Sequence, residues 1–210
     1  MPRPRSDIRP RILRAARKSF LEHGVRGASL REIARRARTS IGMIYYYFKT
    51  KDDLFLAVVE EHYEGAIADL EAALQGPGSF EERLVRMSTR IGNLSALELT
   101  TLKLVLREAM VSSERVPRLV ERFKRGHIGL IASAVGEGMS TGVIAPGPHP
   151  GILILATLAI SGMPQILRQF MGENFPFADV PSGEGMARQL VDILMHGAAA
   201  SGTKVKETEV

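Results

Sequence analysis

Residues 29–51 read SLREIARRARTSIGMIYYYFKTK, and the fold of the whole chain turns on how this stretch is parsed. Ser29 is followed three positions later by Glu32. That spacing predicts a reciprocal helix start, the hydroxyl capping one terminal amide and the carboxylate reaching back to the other. Leu30, Ile33, Ala34 and Ala37 then recur at helical spacing on one side, while Arg31, Arg35 and Arg36 take the other. One face is dry and one cationic. Arg38-Thr39-Ser40 is too short for anything but a tight turn, and Ser40 is suited to cap a second helix over Ile41 to Tyr47. Ile44 and Phe48 form an i, i+4 apolar pair that seats this helix, which leaves Ile41, Gly42, Met43 and Tyr46 pointing outward. Two short helices on a tight turn predict a helix-turn-helix, with those outward residues as candidates for the major groove of DNA.

The flanks fit this reading. Ile8, Ile12, Ala16 and Phe20 trace one stripe of a helix expected over about Asp7 to His23, with Pro10 tolerated in the first turn and Gly24 ending it. After Lys51 the pattern Leu54, Phe55, Val58, Val59, His62, Tyr63, Ile67, Leu70 and Leu74 predicts one long helix, broken at Gly76-Pro77-Gly78.

Between Ile12 and Leu54 the chain resembles the DNA-binding domain of the TetR family of bacterial transcriptional regulators. The matching residues are Ile12, Ala15-Ala16, Phe20, Gly24, Ser29, Ile33-Ala34, Ala37, Ser40, Gly42, Tyr45-Tyr46-Tyr47-Phe48, Lys51 and Leu54. The resemblance implies a homodimeric, ligand-responsive repressor on a near-palindromic operator. Arg31, Ile41, Gly42, Met43 and Tyr46 would meet bases or the groove wall, and Ser29, Thr39, Ser40, Tyr47 and Lys51 would hold phosphates. It also implies that a tilt of the long helix re-aims the reader when an effector binds. Two positions depart from the family pattern. Arg38 stands where the family usually opens the turn with Gly, and a non-Gly residue at φ > 0 costs on the order of 1 kcal/mol. Ile41 and Met43 replace the Lys, Ser or Thr of relatives, so direct readout falls to contact with thymine methyls and to Arg31.

Charge is polarised along the 210 residues. Residues 1–51 hold 14 Lys or Arg against 3 Asp or Glu, a net +11, whereas the remainder holds 14 against 20, a net −6. Concentrated positive charge at the reading head suits phosphate neutralisation. Cysteine is absent, which excludes disulfides and thiolate metal sites and suits a reducing cytoplasm. Residues 1–6, with Arg3 and Arg5, predict a basic arm with no apolar segment of a secretory signal behind it. The stretch from Val143 to Leu167 lacks charge, but its prolines leave only Gly151 to Met163 as a clean apolar run, short of the ~20 residues of a spanning helix. No membrane role is expected.

The rest predicts an all-α body: segments from Ser79 to Leu94, Leu97 to Met110, Val116 to Glu137, Gly151 to Met171 and Gly185 to Gly197, with a break near Ser112-Ser113 and a loop over 138–150. The expected architecture is about nine helices: a three-helix DNA-binding domain at 1–51, an effector-binding and dimerisation domain at 52–197, and a disordered tail at 198–210. In a TetR-like body, Leu104, Arg107, Glu108, Met110, Phe123, His127, Met163, Ile166 and Phe170 would line a pocket for a small-molecule effector. Ordinary core is the competing reading for each of them. Gly151 to Met171 and Met186 to Met195 are too apolar for surface helices of a monomer, so the last two helices are expected to pair with their copies.

Catalysis finds little support. The five histidines, at 23, 62, 127, 149 and 196, form no metal-binding spacing, and neither a phosphate-binding Gly-rich loop nor a nucleophile elbow occurs. No metal or cofactor is expected. Two other readings stay open: a DNA-binding or architectural protein without an effector, and a helical enzyme or adaptor with a relic reader. The retained charge of residues 1–51 argues against the second.

Overall fold

The computed structural model of the chain describes residues 7–111, 114–177 and 179–198. The basic arm, the break at Ser112-Ser113 and the tail beyond Ala198 lie outside them. The described residues contain helices and no strand: α1 (Ile8–Gly27), α2 (Leu30–Arg36), α3 (Ile41–Tyr47), α4 (Lys51–Gln75), α5 (Phe80–Gly92), α6 (Ala96–Val111), α7 (Val116–Lys124), α8 (His127–Ser140), α9 (Pro150–Thr157), α10 (Met163–Met171) and α11 (Gly183–His196). The count exceeds the expected nine because the segment from Val116 to Glu137 is two helices, and because a π-turn, Leu158–Gly162, separates α9 from α10.

The chain packs as two compact units, Met1–Glu71 with Leu94–Leu130, and Ala72–Asn93 with Ile131–Val210. This grouping differs from the boundary expected at residue 51, since α6 and α7 pack with the reading head.

In the first unit, Ile12, Ala16 and Phe20 of α1, Ile33 of α2, Ile44 and Phe48 around α3, Leu54, Phe55 and Val58 of α4, Leu104 of α6 and Leu119 of α7 close one apolar core. Phe20 and Phe55 meet edge to face, 6.2 Å apart. Gly24 takes φ 71° and ψ 167°, which only glycine adopts freely, so α1 breaks there and restarts for one turn. The N–H of Val25, freed at that break, donates to the Glu108 carboxylate at 3.0 Å. Glu108, 3% exposed, also receives Arg115 at 3.2 Å, and Arg115 donates in turn to Asp52 at 2.8 Å. Arg118 continues the ladder to Asp53 and Arg122 to Glu60, each at 2.9 Å. α7 is thereby held to α4 by three arginines on successive turns.

Gly126 separates α7 from α8 because a Cβ there would lie 2.3 Å from the Tyr63 hydroxyl oxygen. That hydroxyl accepts from the His127 backbone N–H at 3.3 Å and is hydrogen-bonded to His127 Nδ1 at 2.7 Å. Burial, with the nearby Arg122 charge, lowers the His127 pKa from 6.5 to about 4. The imidazole is therefore neutral in the folded protein at neutral pH, whereas the unfolded chain takes up a proton first as pH falls. Stability should drop between pH 6.5 and pH 4. The expected result is that the stability advantage of the native protein over His127→Gln shrinks by about 2 kcal/mol from pH 7 to pH 5. Urea titrations at the two pH values measure it, and an unchanged gap would contradict the assignment.

In the second unit, α5 starts with a complete capping box between Ser79 and Glu82 and buries Leu84, Val85 and Met87. α11 packs on it through Met186, Ala187 and Val191. Arg83 donates to the Leu74 carbonyl at the end of α4 and grips Glu137 of α8 with two bonds. The segment α9–π-turn–α10 runs on as one rod. Pro164 offers no N–H, and the π-turn accommodates it: Met163 N–H donates five residues back, to Leu158. The Ser161 carbonyl accepts from Ser88 at 2.6 Å. Gln165, buried, donates to the Gly183 carbonyl at 3.0 Å, and Gln169 to that of Ile91 at 2.7 Å.

The opposite side of the rod exposes Ile152, Leu155, Met163, Leu167 and Met171. Contrary to the shorter apolar run expected, Pro150–Asn174 forms a continuous helical stretch long and apolar enough, by length and composition alone, to cross a membrane. Its polar contacts to α5 and to the segment leading into α11 mark it instead as a rod packed against protein on one side.

Candidate nucleic-acid interface

The helix-turn-helix forms where the sequence places it. Ser29 caps α2, its Oγ accepting from Glu32 N–H at 3.5 Å, but the reciprocal half of the expected capping box is missing. The Glu32 carboxylate turns instead to Arg35 and Arg36, at 2.7–2.8 Å. These two guanidinium groups hold its pKa down to about 2. Arg36 also pairs with Glu22. Two of the three arginines on that face are thus already paired, with carboxylates that the net +11 already subtracts.

α2 ends in a Schellman-type turn: Thr39 N–H donates to the Ala34 carbonyl at 3.0 Å and Arg38 N–H to that of Arg35 at 3.1 Å. This geometry needs a left-handed residue, and Arg38 supplies it at φ 51°. Arg11 of α1 donates to the Arg38 carbonyl at 3.1 Å, a tertiary bond that holds the strained turn. Ser40 then caps α3, accepting from Met43 N–H at 3.3 Å.

Ile44 and Phe48 anchor α3 in the core. On its outer side Ile41, Gly42, Tyr45 and Tyr46 are exposed, Tyr46 at 77%, while Met43 is half-buried. Tyr47 is also half-buried, its ring between those of Tyr46 and Phe48. Arg31 and Ser40 are exposed, and Thr39 partly so. Tyr45 and Lys49 are exposed as well and were not among the expected contacts. Tyr45 lies one turn after Ile41 and Gly42, and that spacing could have found it.

Lys51 has bonds within the fold. Its ammonium donates to the carbonyls of Arg26 at 2.8 Å and Ala28 at 3.1 Å, tying the end of α1 to the start of α4. Two of its three protons serve the fold. α4 itself starts with reciprocal bonds between Thr50 and Asp53. Arg118 and Thr50 hold the Asp53 carboxyl below the usual range.

The residues expected to line an effector pocket divide between the two units. In the first, Leu104 is core, Arg107 donates to the Leu21 carbonyl at 2.9 Å, and Glu108 is tied to Val25 and Arg115. Met110 is 88% exposed, and Phe123 and His127 pack on Tyr63. Those contacts are structural ones. In the second unit Met163 is exposed and Ile166 and Phe170 are half-buried.

Residues 12–58 match the family described as bacterial regulatory proteins, tetR family, which coincides with the helix-turn-helix and the first turns of α4. The chain is 29% identical over 189 residues to the HTH-type transcriptional repressor SCO4008 of Streptomyces coelicolor, covering 87% of this chain and 94% of that one. Residues 12–58 carry a DNA-binding domain of the tetR family. The chain is also 26% identical over 144 residues to the HTH-type transcriptional regulator UidR of Escherichia coli, covering 66% and 69% of the two chains. These relatives are DNA-binding transcriptional regulators, not enzymes. Its fold is that of Bacillus subtilis FadR, solved in complex with stearoyl-CoA: TM-score 0.71, 17% identity, 90% of this chain and 99% of that one. Salmonella enterica GusR has the same fold, with TM-score 0.69 and 21% identity over 93% and 98% of the two chains.

Proposed function

We propose that this regulator is a homodimeric cytoplasmic repressor that grips a near-palindromic operator and is released by a small-molecule effector. The observation that carries the DNA half is α3: a short helix anchored by buried Ile44 and Phe48 that offers Ile41, Gly42, Tyr45 and Tyr46 to a groove. Arg31, exposed at the start of α2, is the candidate for hydrogen-bond readout, and Lys49 and Ser40 are candidates for phosphates. Dimerisation is supported by the exposed apolar side of the α9–α10 rod. A two-fold axis would set two readers about one helical turn, ~34–36 Å, or a multiple apart. The effector half is supported by the fold shared with FadR, whose structure holds stearoyl-CoA.

Binding-site selection from genomic DNA would supply the operator, and fluorescence anisotropy would then test the roles. Arg31→Ala should weaken the selected operator by about 1–3 kcal/mol while leaving random DNA nearly unchanged. Lys49→Ala should weaken both alike and lower the salt slope by about one unit. Equal losses on both DNAs for Arg31→Ala would remove it from the reading set. An effector must bind the DNA-free form more tightly than the bound form, so any released ligand should bind more weakly when operator is present.

A further inference from the structure

Among the described residues, Arg38 is the one residue other than glycine held at positive φ, 51°. Glycine takes that conformation freely, whereas a side chain there is strained. The turn does not need the arginine for its bonds. The Schellman-type pair uses the backbone N–H groups of Arg38 and Thr39, and Arg11 takes the Arg38 carbonyl, so glycine would make every one of them as well. The side chain itself is exposed and makes no hydrogen bond or ion pair among the described residues. Strain kept at a side chain that the fold does not use points to a task outside the chain.

The neighbours of Arg38 define that task. Two residues on, Ser40 caps α3, and Ile41 and Gly42 follow at its exposed start. Two residues of chain span at most about 7 Å. The cation therefore stands beside the part of α3 proposed to enter the groove, which backbone phosphates flank. Arg35 and Arg36 of α2 are engaged by Glu32 and Glu22, but Arg38 is not. Because Arg11 and the turn already fix the Arg38 backbone, only its side chain has to be ordered when DNA binds.

We propose that Arg38 holds a phosphate of the DNA backbone beside the groove that α3 enters, and that the turn keeps a side chain at positive φ for this contact. A guanidinium fork matches phosphate in both geometry and charge. Such a contact adds affinity on every sequence and distinguishes none. The inference rests on the DNA-binding reading of α3 and adds a residue to it.

The test compares the native protein with Arg38→Gly, Arg38→Asn, Arg38→Lys and Arg125→Gln. Anisotropy on the selected operator and on random DNA, between about 50 and 200 mM salt, is joined to thermal melting. Glycine and asparagine both accept the left-handed turn, so Arg38→Gly and Arg38→Asn should melt no lower than the native protein. Both should nonetheless bind operator and random DNA about 10-fold more weakly at the lower salt. Their salt slopes should drop by about one unit, which narrows the deficit about 3-fold at the higher salt. Arg38→Lys keeps the charge and should keep the slope. Arg125→Gln removes an equal charge, exposed at the end of α7, and should match the native protein. Native affinity and slope in Arg38→Gly and Arg38→Asn would overturn the contact. So would a loss confined to the operator, a slope lost in Arg38→Lys, an equal loss in Arg125→Gln, or lower melting in both uncharged Arg38 variants. A native protein that binds no DNA would instead remove the reading of α3 itself.

Discussion

Leu155→Glu should leave the protomer folded and take the dimer apart. Leu155 is 67% exposed on the outer side of α9, so replacing it removes no packing within the chain, and the melting temperature of the dilute protein should change little. In the proposed dimer the same side chain is buried twice. Losing two leucines removes about 3–6 kcal/mol of apolar burial, and two carboxylates enter an apolar contact besides. The dimer dissociation constant should rise by at least about 10²–10⁴. Sedimentation velocity at micromolar concentration would detect the monomer. Operator affinity should fall with it, because a lone reader meets only one half-site. An unchanged sedimentation coefficient would remove the rod from the interface.

Glu108→Ala is expected to have the largest effect on stability of any single replacement in the first unit. Its carboxylate is the shared acceptor for Val25 N–H at the break of α1 and for Arg115, which also serves Asp52. Without it a buried amide loses its partner and a mostly buried guanidinium loses one of two carboxylates. The cost should be about 3 kcal/mol, or a fall in melting temperature of about 6–12 °C for a chain of this size. Glu108→Gln, which keeps an acceptor oxygen, should recover part of the loss. A melting temperature unmoved in Glu108→Ala would show that the bonds to Val25 and Arg115 contribute nothing net. Operator binding near the melting range should fall in parallel, since the break at Gly24 leads into α2.

Comparison of these residues with their sequence reading shows where local pattern stops informing. Helix starts at Ser29, Ser40, Thr50 and Ser79 were legible because each cap lies within four residues of the amide it serves. The seat of α3 was legible from the i, i+4 spacing of Ile44 and Phe48. Glu32 defeated the same logic: two arginines within one turn outcompete the cap amide for its carboxylate. The bonds of Lys51, Arg107 and Glu108 within the fold were not legible, for a different reason. Those of Lys51 to Ala28 and Arg26, of Glu108 to Val25 and of Arg107 to Leu21 span 23 to 86 residues of chain, and no periodicity encodes such a bond. Gly126 was passed over because the steric demand at that position comes from Tyr63 on another helix. Pro164 suggested an interruption, yet a wider helical turn absorbed it.

That wider turn also fixes an angle. Removing any one residue from 158–162 would restore ordinary α-helix at little loss of backbone hydrogen bonding, and would swing everything after it by about 100°. Gln165 and Gln169 would rotate away from the carbonyls of Gly183 and Ile91, and Leu167 would leave the side it shares with Leu155. The segment therefore tolerates changes of side chain far more readily than a change of length.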